Sequence, residues 1–236
     1  MRSSRLLSFV LAVALLGLPG LVLGAGSASA AVAVQPTLLI DSGPSPQVYG
    51  ELFQVAGKVE YVDPATQTTQ PAAGQVLHLE RRWNGTDAFA EIAALTTDAS
   101  GVAIFDLSAG ANATYRLRYD GAALSPEVSL NPAMSSERAS KVMRDLGAKE
   151  PKEGTRRLVF KGNVDPGYGH KVVKLQRKTC KSCAWKPFDK EKTASNGSWS
   201  FVTPTPRNGS WYYRTVAKGS TKFVKSKSPI LEVWRY

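Results

Sequence analysis

The feature that most constrains the fold of this chain is an internal repeat. We call residues 31–131 the first half and residues 132–236 the second half; five short segments of the first half return in the same order in the second. The segments and their counterparts are Phe53–Val59 with Leu158–Val164, Val76–Arg82 with Val172–Lys178, Asp98–Leu107 with Thr193–Thr203, Thr114–Tyr119 with Tyr212–Ala217, and Ser125–Leu130 with Ser228–Val233. Such a repeat predicts two copies of one architecture in tandem.

The repeated segments have the pattern of β-strands. They are short, contain many β-branched and aromatic residues, and are separated by Gly, Pro and Asn-Gly pairs, which are typical of tight hairpin turns. In "VLHLERR" the apolar Leu77 and Leu79 share one face, so His78, Glu80 and Arg82 are expected on the other. The same alternation predicts inward residues in the second half at Val173, Leu175, Trp199, Phe201, Trp211 and Tyr213, and outward residues at Lys174, Gln176, Lys178 and Arg214.

The second half also resembles the immunoglobulin-like or fibronectin-type-III-like sandwiches common in secreted bacterial proteins. The resemblance is carried by Gly162, Val164, Pro166, Val173, Leu175, Gln176, Arg177, Trp185, Gly197, Trp199, Phe201, Tyr212, Tyr213 and Arg214. The first half departs from this pattern, with Phe89 and Ala103 near the positions of the two Trp residues. The resemblance implies an all-β fold of two tandem antiparallel β-sandwich domains. Modules of this type act as stalks, spacers or binding domains, so the fold alone does not assign an activity.

The N-terminus has the pattern of a signal peptide. Residues 1–30 contain a basic start, an apolar run and a small-residue tail ending Ala28-Ser29-Ala30, so cleavage is expected after Ala30. The exported product is expected to be secreted or associated with the cell surface, without a transmembrane segment. Its predicted domains are 31–131 and 140–236, joined by a linker at 132–139. Residues 135–150 have helical propensity, but their place in the repeat predicts a first strand at Lys141–Leu146.

The two halves carry opposite charge. The first half has 5 Lys and Arg against 11 Asp and Glu, a balance of −6, whereas the second half has 23 against 8, a balance of +15. A basic surface attracts polyanions. The expected anion-binding residues are Lys174, Lys178, Lys181, Lys186, Arg214, Lys222 and Lys225. Outside a cell the expected partner is an anionic wall polymer or an acidic polysaccharide, with the outer membrane leaflet, extracellular DNA or a merely solvated surface as alternatives. The stacking aromatics that single-stranded nucleic acid requires are not evident.

The two cysteines, Cys180 and Cys183, align with the hairpin connection Trp83–Phe89 of the first half. A turn brings its first and fourth Cα atoms within about 7 Å, which suits a disulfide. We therefore expect a local disulfide that clasps a turn. A redox-active pair remains an alternative, because nearby lysines lower a thiol pKa. Half of a zinc site would need further ligands, and the two histidines of the chain fall in different repeats.

No catalytic constellation stands out. His78 is expected on a solvated strand face. His170 lies in a turn-rich loop with Tyr168, where both could meet a ligand, although a flexible hairpin tip is the favoured interpretation. Patterns of a nucleophile elbow or a phosphate-binding loop are absent from the sequence. We therefore predict a non-enzymatic protein without metal or cofactor. Its alternatives are a structural spacer without a ligand, a thiol–disulfide protein, and a chain whose acidic half pairs with its own basic half.

Overall fold

The structure is a computed structural model that describes residues 31–43, 45–86, 88–152 and 157–235. Within these residues the fold is all-β, with strands, turns and bends but no helix. They accordingly contain no helix long and apolar enough to cross a membrane. The predicted signal peptide, residues 1–30, lies outside the described residues.

The strands of the first part of the chain extend to Ser140. They are β1 (Val32–Val34), β2 (Thr37–Ser42), β3 (Gln47–Val48), β4 (Leu52–Val62), β5 (Thr69–Pro71), β6 (Val76–Trp83), β7 (Ala90–Thr96), β8 (Val102–Ser108), β9 (Ala113–Tyr119), β10 (Ala122–Ala123), β11 (Val128–Leu130), β12 (Ala133–Met134) and β13 (Arg138–Ser140). In one sheet β4 lies between β2 and β8, and in another β6 lies between β7 and β9, all antiparallel. Strands β1, β10 and β11 form a small separate sheet.

The remaining strands repeat this order of pairing. They are β14 (Val142–Met143), β15 (Asp145–Lys152), β16 (Arg157–Asp165), β17 (Val172–Lys178), β18 (Lys186–Lys192), β19 (Trp199–Pro204), β20 (Gly209–Ala217), β21 (Ser226–Lys227) and β22 (Leu231–Arg235). Here β16 lies between β15 and β19, and β17 lies between β18 and β20, again antiparallel. Strands β21 and β22 pair with the far edge of β20.

Two hydrophobic clusters fill the space between the sheets. The first contains residues of both the β4 sheet and the β6 sheet, including Val55, Phe105, Leu77, Leu79 and Leu117. The second contains Val164, Phe201, Val173, Leu175 and Tyr213. Packing of inward side chains from two sheets is the arrangement of a β-sandwich. The predicted inward residues are confirmed as buried, except that Trp211 is half-buried and packs against the second cluster.

The segment expected to be a linker, 132–139, differs from the prediction. Strands β12 and β13 pair with β9, with Arg138 opposite Tyr115, so this segment extends the β6 sheet. Its position has a physical reason, because β9 would otherwise leave a row of unpaired backbone groups along its outer edge. The strand expected at Lys141–Leu146 is observed as β14 and the start of β15, so the helical propensity of this region is overridden.

A junction joins the two halves. Phe223 belongs to the second half in sequence, yet it is 5% exposed and is part of the first hydrophobic cluster. Asn112 of the first half binds two segments of the second half: its Nδ2 donates to Thr221 O at 3.1 Å, and its Oδ1 accepts from Val142 N at 2.8 Å. Strand β14 also pairs with β3 in parallel. The described residues from Ala31 onward therefore form one compact unit.

One buried arginine reinforces this junction. Arg144 is 5% exposed, and its Cζ lies 4.3 Å from the ring centroid of Phe223 and 4.9 Å from that of Tyr168. Its Nε donates to Pro166 O at 3.2 Å. Burial lowers the pKa of Arg144, and the two rings and the carbonyl oxygen partly replace the lost hydration of the cation.

Candidate anion-binding face

The cysteine pair occupies the connection between β17 and β18. Cys180 and Cys183 form a disulfide with Cα atoms 5.1 Å apart, and Cys183 N donates to Cys180 O at 3.2 Å. The predicted clasp on a hairpin turn is therefore confirmed. Lys181 and Lys186 are exposed on and beside this turn, so the clasp holds two of the predicted cations at one end of the sheet.

The outer face of this sheet combines cations from three strands. Lys174 on β17 lies directly opposite Lys190 on β18, and Gln176 lies directly opposite Arg214 on β20. Residues directly opposite in an antiparallel pair point to the same side, with Cβ atoms about 5 Å apart. Like charges in such positions destabilise the sheet. A counter-anion bound over Lys174 and Lys190 would relieve this repulsion.

Arg214 is held in place by two neighbours. Its Nε donates to Gln176 Oε1 at 2.8 Å, and its Cζ lies 4.1 Å from the ring centroid of Trp185. Partial burial lowers the pKa of Arg214. No described residue accepts a hydrogen bond from the two terminal guanidinium nitrogens, so these donors remain available to an external acceptor.

Lys178 lies beside this arginine. Its Nζ is 5.2 Å from the ring centroid of Trp185 and 5.1 Å from that of Tyr212, and it donates to the carbonyl oxygen of Lys181. The ammonium group is thus tied to the clasped turn. Together, Lys178 and Arg214 place two positive charges against one indole ring.

The corresponding face of the first half has the same frame with a different charge balance. Arg116 lies opposite Glu80, and its Nε donates to Glu80 Oε2 at 2.7 Å. The Cζ of Arg116 lies 4.0 Å from the ring centroid of Phe89, and that of Arg82 lies 4.6 Å from it. Arginine, aromatic ring and cross-strand partner thus recur, but a carboxylate takes the place of the amide of Gln176.

The other charges on this first face are also paired. Glu80 accepts a second bond, from Arg118 Nε at 3.1 Å, and Arg118 Nη2 donates to Glu91 at 2.8 Å. Hydrogen bonds from His78 and Arg118 lower the pKa of Glu91, and one from Arg118 lowers the pKa of Asp120. His78 lies beside these carboxylates, with Nδ1 3.1 Å from Glu91 Oε2 and Nε2 3.4 Å from Asp120 Oδ2. This face is neutralised from within the chain.

Three acidic residues beyond residue 138 accept hydrogen bonds from neutral donors instead. Asp165 accepts from Asn163, Glu191 from the backbone of Ser200, and Glu232 from the hydroxyl group of Tyr212. The positive charge of Lys181 contributes to a lowered pKa of Glu232, after hydrogen bonds from Ser210 and Tyr212. Among the described residues, every ion pair between a basic and an acidic side chain falls within residues 41–138.

The seven predicted anion-binding residues do not all share one surface. Lys174, Lys178 and Arg214 lie on the outer face of the sheet, with Lys181 and Lys186 at its clasped end. Lys225 directly precedes β21, which extends the sheet beyond β20. Lys222 lies in the junction loop, where its carbonyl oxygen accepts from Asn112 N at 2.7 Å.

Sequence reasoning missed one further cation of the face, Lys190, which lies opposite Lys174. Lys227, which the sequence also indicated as part of the basic surface, lies on β21 opposite Val216 of β20. The alternation of charged residues within β18 indicated that some of its lysines face outward, but only the strand register shows that Lys190 lies on this face. In the loop where Tyr168 and His170 could have met a ligand, Tyr168 is 4% exposed, and its hydroxyl group donates to Val172 O and accepts from Lys218 N.

Elsewhere, an open cleft of about 880 Å³ lies between β15, β16, β18 and β19. Two polar atoms on its lining residues, Asn163 Oδ1 and Trp199 Nε1, are unpaired but closed off from solvent, so they do not face an incoming ligand. Within the part of the chain that the structure describes, no group of three or more His, Cys, Asp and Glu residues could hold a metal ion. No protein-family model matches the sequence, and no curated protein matches it either.

Proposed function

We propose that this chain is an exported, non-enzymatic binding protein built from two tandem immunoglobulin-like β-sandwich domains. Its second domain contacts an anionic polymer outside the cell, such as a cell-wall polymer or an acidic polysaccharide. The observation that carries this proposal is the unpaired positive charge on the outer face of β17, β18 and β20. The equivalent face of the first half is neutralised by Glu80, Glu91 and Asp120.

The common order of strand pairing supports the two-domain assignment. In each half a central strand, β4 or β16, carries a partner on either side, and a second central strand, β6 or β17, does the same. Each half has its own hydrophobic cluster. A domain of this class has about 100 residues, which matches the spacing of the repeat.

The electrostatic contrast supports an anionic partner. A balance of +15 over the second half creates a positive field that speeds encounter with polyanions. The pairing of Lys174 with Lys190 concentrates this charge where a bound anion would remove a repulsion. Because exposed charges act through solvent, the attraction must weaken as the Debye length shortens.

A rigid spacer is the second candidate, and the junction favours it. Phe223 is buried in the first cluster, and Asn112 binds backbone atoms of the second half. This fixed connection would hold two domains at a constant orientation. A spacer of this kind would show no difference between the wild type and variants of the cationic face.

The test is retention of the mature chain, residues 31–236, on matrices carrying carboxylated, sulfated or phosphate polymers. We expect retention at low ionic strength and elution by roughly 1 M salt, where the Debye length falls to about 3 Å. Replacing Lys174 and Lys190 with Ser is expected to lower the elution salt. The matched control replaces Lys141 and Lys161, two exposed lysines away from this face. Absence of retention at low salt, or an equal loss in the control, would refute the proposal.

A further inference from the structure

The amide of Gln176 marks one difference between two corresponding sites; a second is that Glu80 also accepts from Arg118 Nε at 3.1 Å, and the second half has Val216 at that position. Glu80 and Arg116 are directly opposite on β6 and β9, and Gln176 and Arg214 are directly opposite on β17 and β20. In both sites the arginine Nε donates to the partner's side-chain oxygen, at 2.7 Å and 2.8 Å respectively. The amide preserves the acceptor that orients Arg214, but it supplies no negative charge.

The aromatic support of the arginine is also repeated. Arg116 lies 4.0 Å from the centroid of Phe89, and Arg214 lies 4.1 Å from the centroid of Trp185. A guanidinium group that lies against a ring and is fixed through Nε has lost much of its rotational freedom. Less entropy is therefore lost when its remaining donors bind a ligand.

We propose that Arg214 is the specific binding site for a carboxylate group of the anionic polymer, which takes the counter-charge role that Glu80 has in the first half. This inference rests on the proposed function and deepens it, because it names the chemical class of the ligand group. The two carboxylate oxygens accept from the terminal nitrogens of Arg214, which have no acceptor among the described residues.

The surroundings of Arg214 favour a planar, singly charged group. Trp185 lies against the guanidinium group, with its ring centroid 4.1 Å from Arg214 Cζ, and a carboxylate can accept two parallel hydrogen bonds from the two terminal nitrogens. The adjacent Lys178 is already bound to the carbonyl oxygen of Lys181, and the carboxylate of Glu232 lies across β20 from it, bonded to Tyr212. The two terminal nitrogens of Arg214 are therefore the hydrogen-bond donors that this site offers to a ligand.

The decisive variant is Gln176→Glu, which installs the missing carboxylate within the chain. It is expected to pair with Arg214 Nε as Glu80 pairs with Arg116 Nε, and so to neutralise the positive charge that the ligand's carboxylate would meet, while the fold is retained. Affinity for polygalacturonate should fall roughly ten- to a hundredfold, the range for losing charge-assisted hydrogen bonds. Affinity for dextran sulfate and for polyphosphate should fall by only about threefold, the effect of one screened charge.

Two further variants separate the site from the general charge of the face. Lys174→Gln lowers the net charge by the same amount as Gln176→Glu, and it is expected to reduce binding of all three polymers by about threefold. Arg214→Lys keeps the charge but removes the planar fork, so it should reproduce the selective loss on polygalacturonate. Circular dichroism and the melting temperature of each variant establish that it is folded.

The outcomes distinguish the inference from the proposed function. Equal losses in Gln176→Glu and Lys174→Gln on all three polymers would overturn the carboxylate site and leave the general anionic partner in place. A selective loss on polyphosphate or dextran sulfate would overturn the assignment to a carboxylate. If the wild type binds none of the polymers at low salt, both the proposed function and the carboxylate site at Arg214 are wrong.

Discussion

Phe223 lies in the second half of the sequence and is buried in the hydrophobic cluster of the first. Its ring contacts Tyr49 edge-on with centroids 6.2 Å apart, and the Cζ of Arg144 lies 4.3 Å from its centroid. Replacing Phe223 with Ala should therefore destabilise the first half through a change made in the second. It also removes one of the two rings that support the buried charge of Arg144.

The expected loss follows from the burial of this side chain. Phe223 is 5% exposed, and truncating a buried Phe to Ala costs about 3–5 kcal/mol of unfolding free energy. For a cooperative unit of this size, each kcal/mol lowers the melting temperature by roughly 2–4 °C. We therefore expect the melting temperature of F223A to fall by about 10 °C.

The assay is differential scanning calorimetry of the mature chain, with tryptophan fluorescence as a second probe. Trp185, Trp199, Trp211 and Trp234 report on the second half, and the single remaining Trp lies in the first. In the wild type both probes should give one midpoint, because the halves share a core. The control is Ile230→Ala, since Ile230 is 57% exposed and surface changes cost within about 0.5 kcal/mol. A melting temperature of F223A within about 2 °C of the wild type would refute the shared core.

Three further predictions concern local features. Gly197→Ala should lower the unfolding free energy, measured in urea, more than Gly209→Ala does. Both glycines have positive φ (86° and 76°), but only a Cβ added at Gly197 would lie 2.6 Å from a backbone oxygen. Equal losses of about 1–2 kcal/mol each, from the backbone conformation alone, would contradict this close approach. Arg118→Met should raise the pKa of Glu91 toward its ordinary value of 4.5. Because that pKa is lowered in the fold, its contribution to stability is present at neutral pH and is lost as pH falls through the folded pKa; an unchanged carboxyl titration by NMR would contradict the ion pair. Replacing both cysteines with Ser should lower the unfolding free energy by about 2 kcal/mol, the value for a very short loop, with retention on anionic matrices preserved; loss of the fold would contradict a merely local clasp.

Much of the strand pattern was predictable because it depends on local alternation. Leu77 and Leu79, like Val173 and Leu175, are apolar residues two positions apart, and their burial follows from the pleat of a single strand. The disulfide was predictable for a similar reason, since a turn fixes the distance between residues three apart. These features need only the nearest neighbours in sequence.

The junction was not predictable in this way. Phe223 is one aromatic residue among lysines, and only the folded chain shows that it enters the other half's core. The same holds for 132–139, whose short polar segments gave no periodic signal but pair with β9. Contacts of this kind depend on which edges remain open after the sheets have formed.

The candidate anion-binding face was predictable only in part. The change from Glu80 to Gln176 was visible in the aligned repeats, yet its meaning required the register that sets Arg116 and Arg214 opposite them. Sequence reasoning therefore placed Arg214 among the residues of the basic face but did not show that its cross-strand partner lacks a counter-charge. Lys190 was missed for the same reason, because its neighbour Lys174 lies on another strand.

The junction between the two halves fixes the direction of the molecule's charge separation. Its halves carry −6 and +15, and the contacts of Phe223 and Asn112 prevent them from turning freely about each other. The charge separation is therefore a permanent dipole moment fixed in the molecular frame. Near a negatively charged surface the molecule experiences a torque, and the same end of every molecule arrives first. Orientation on the surface is thus set before any specific contact forms.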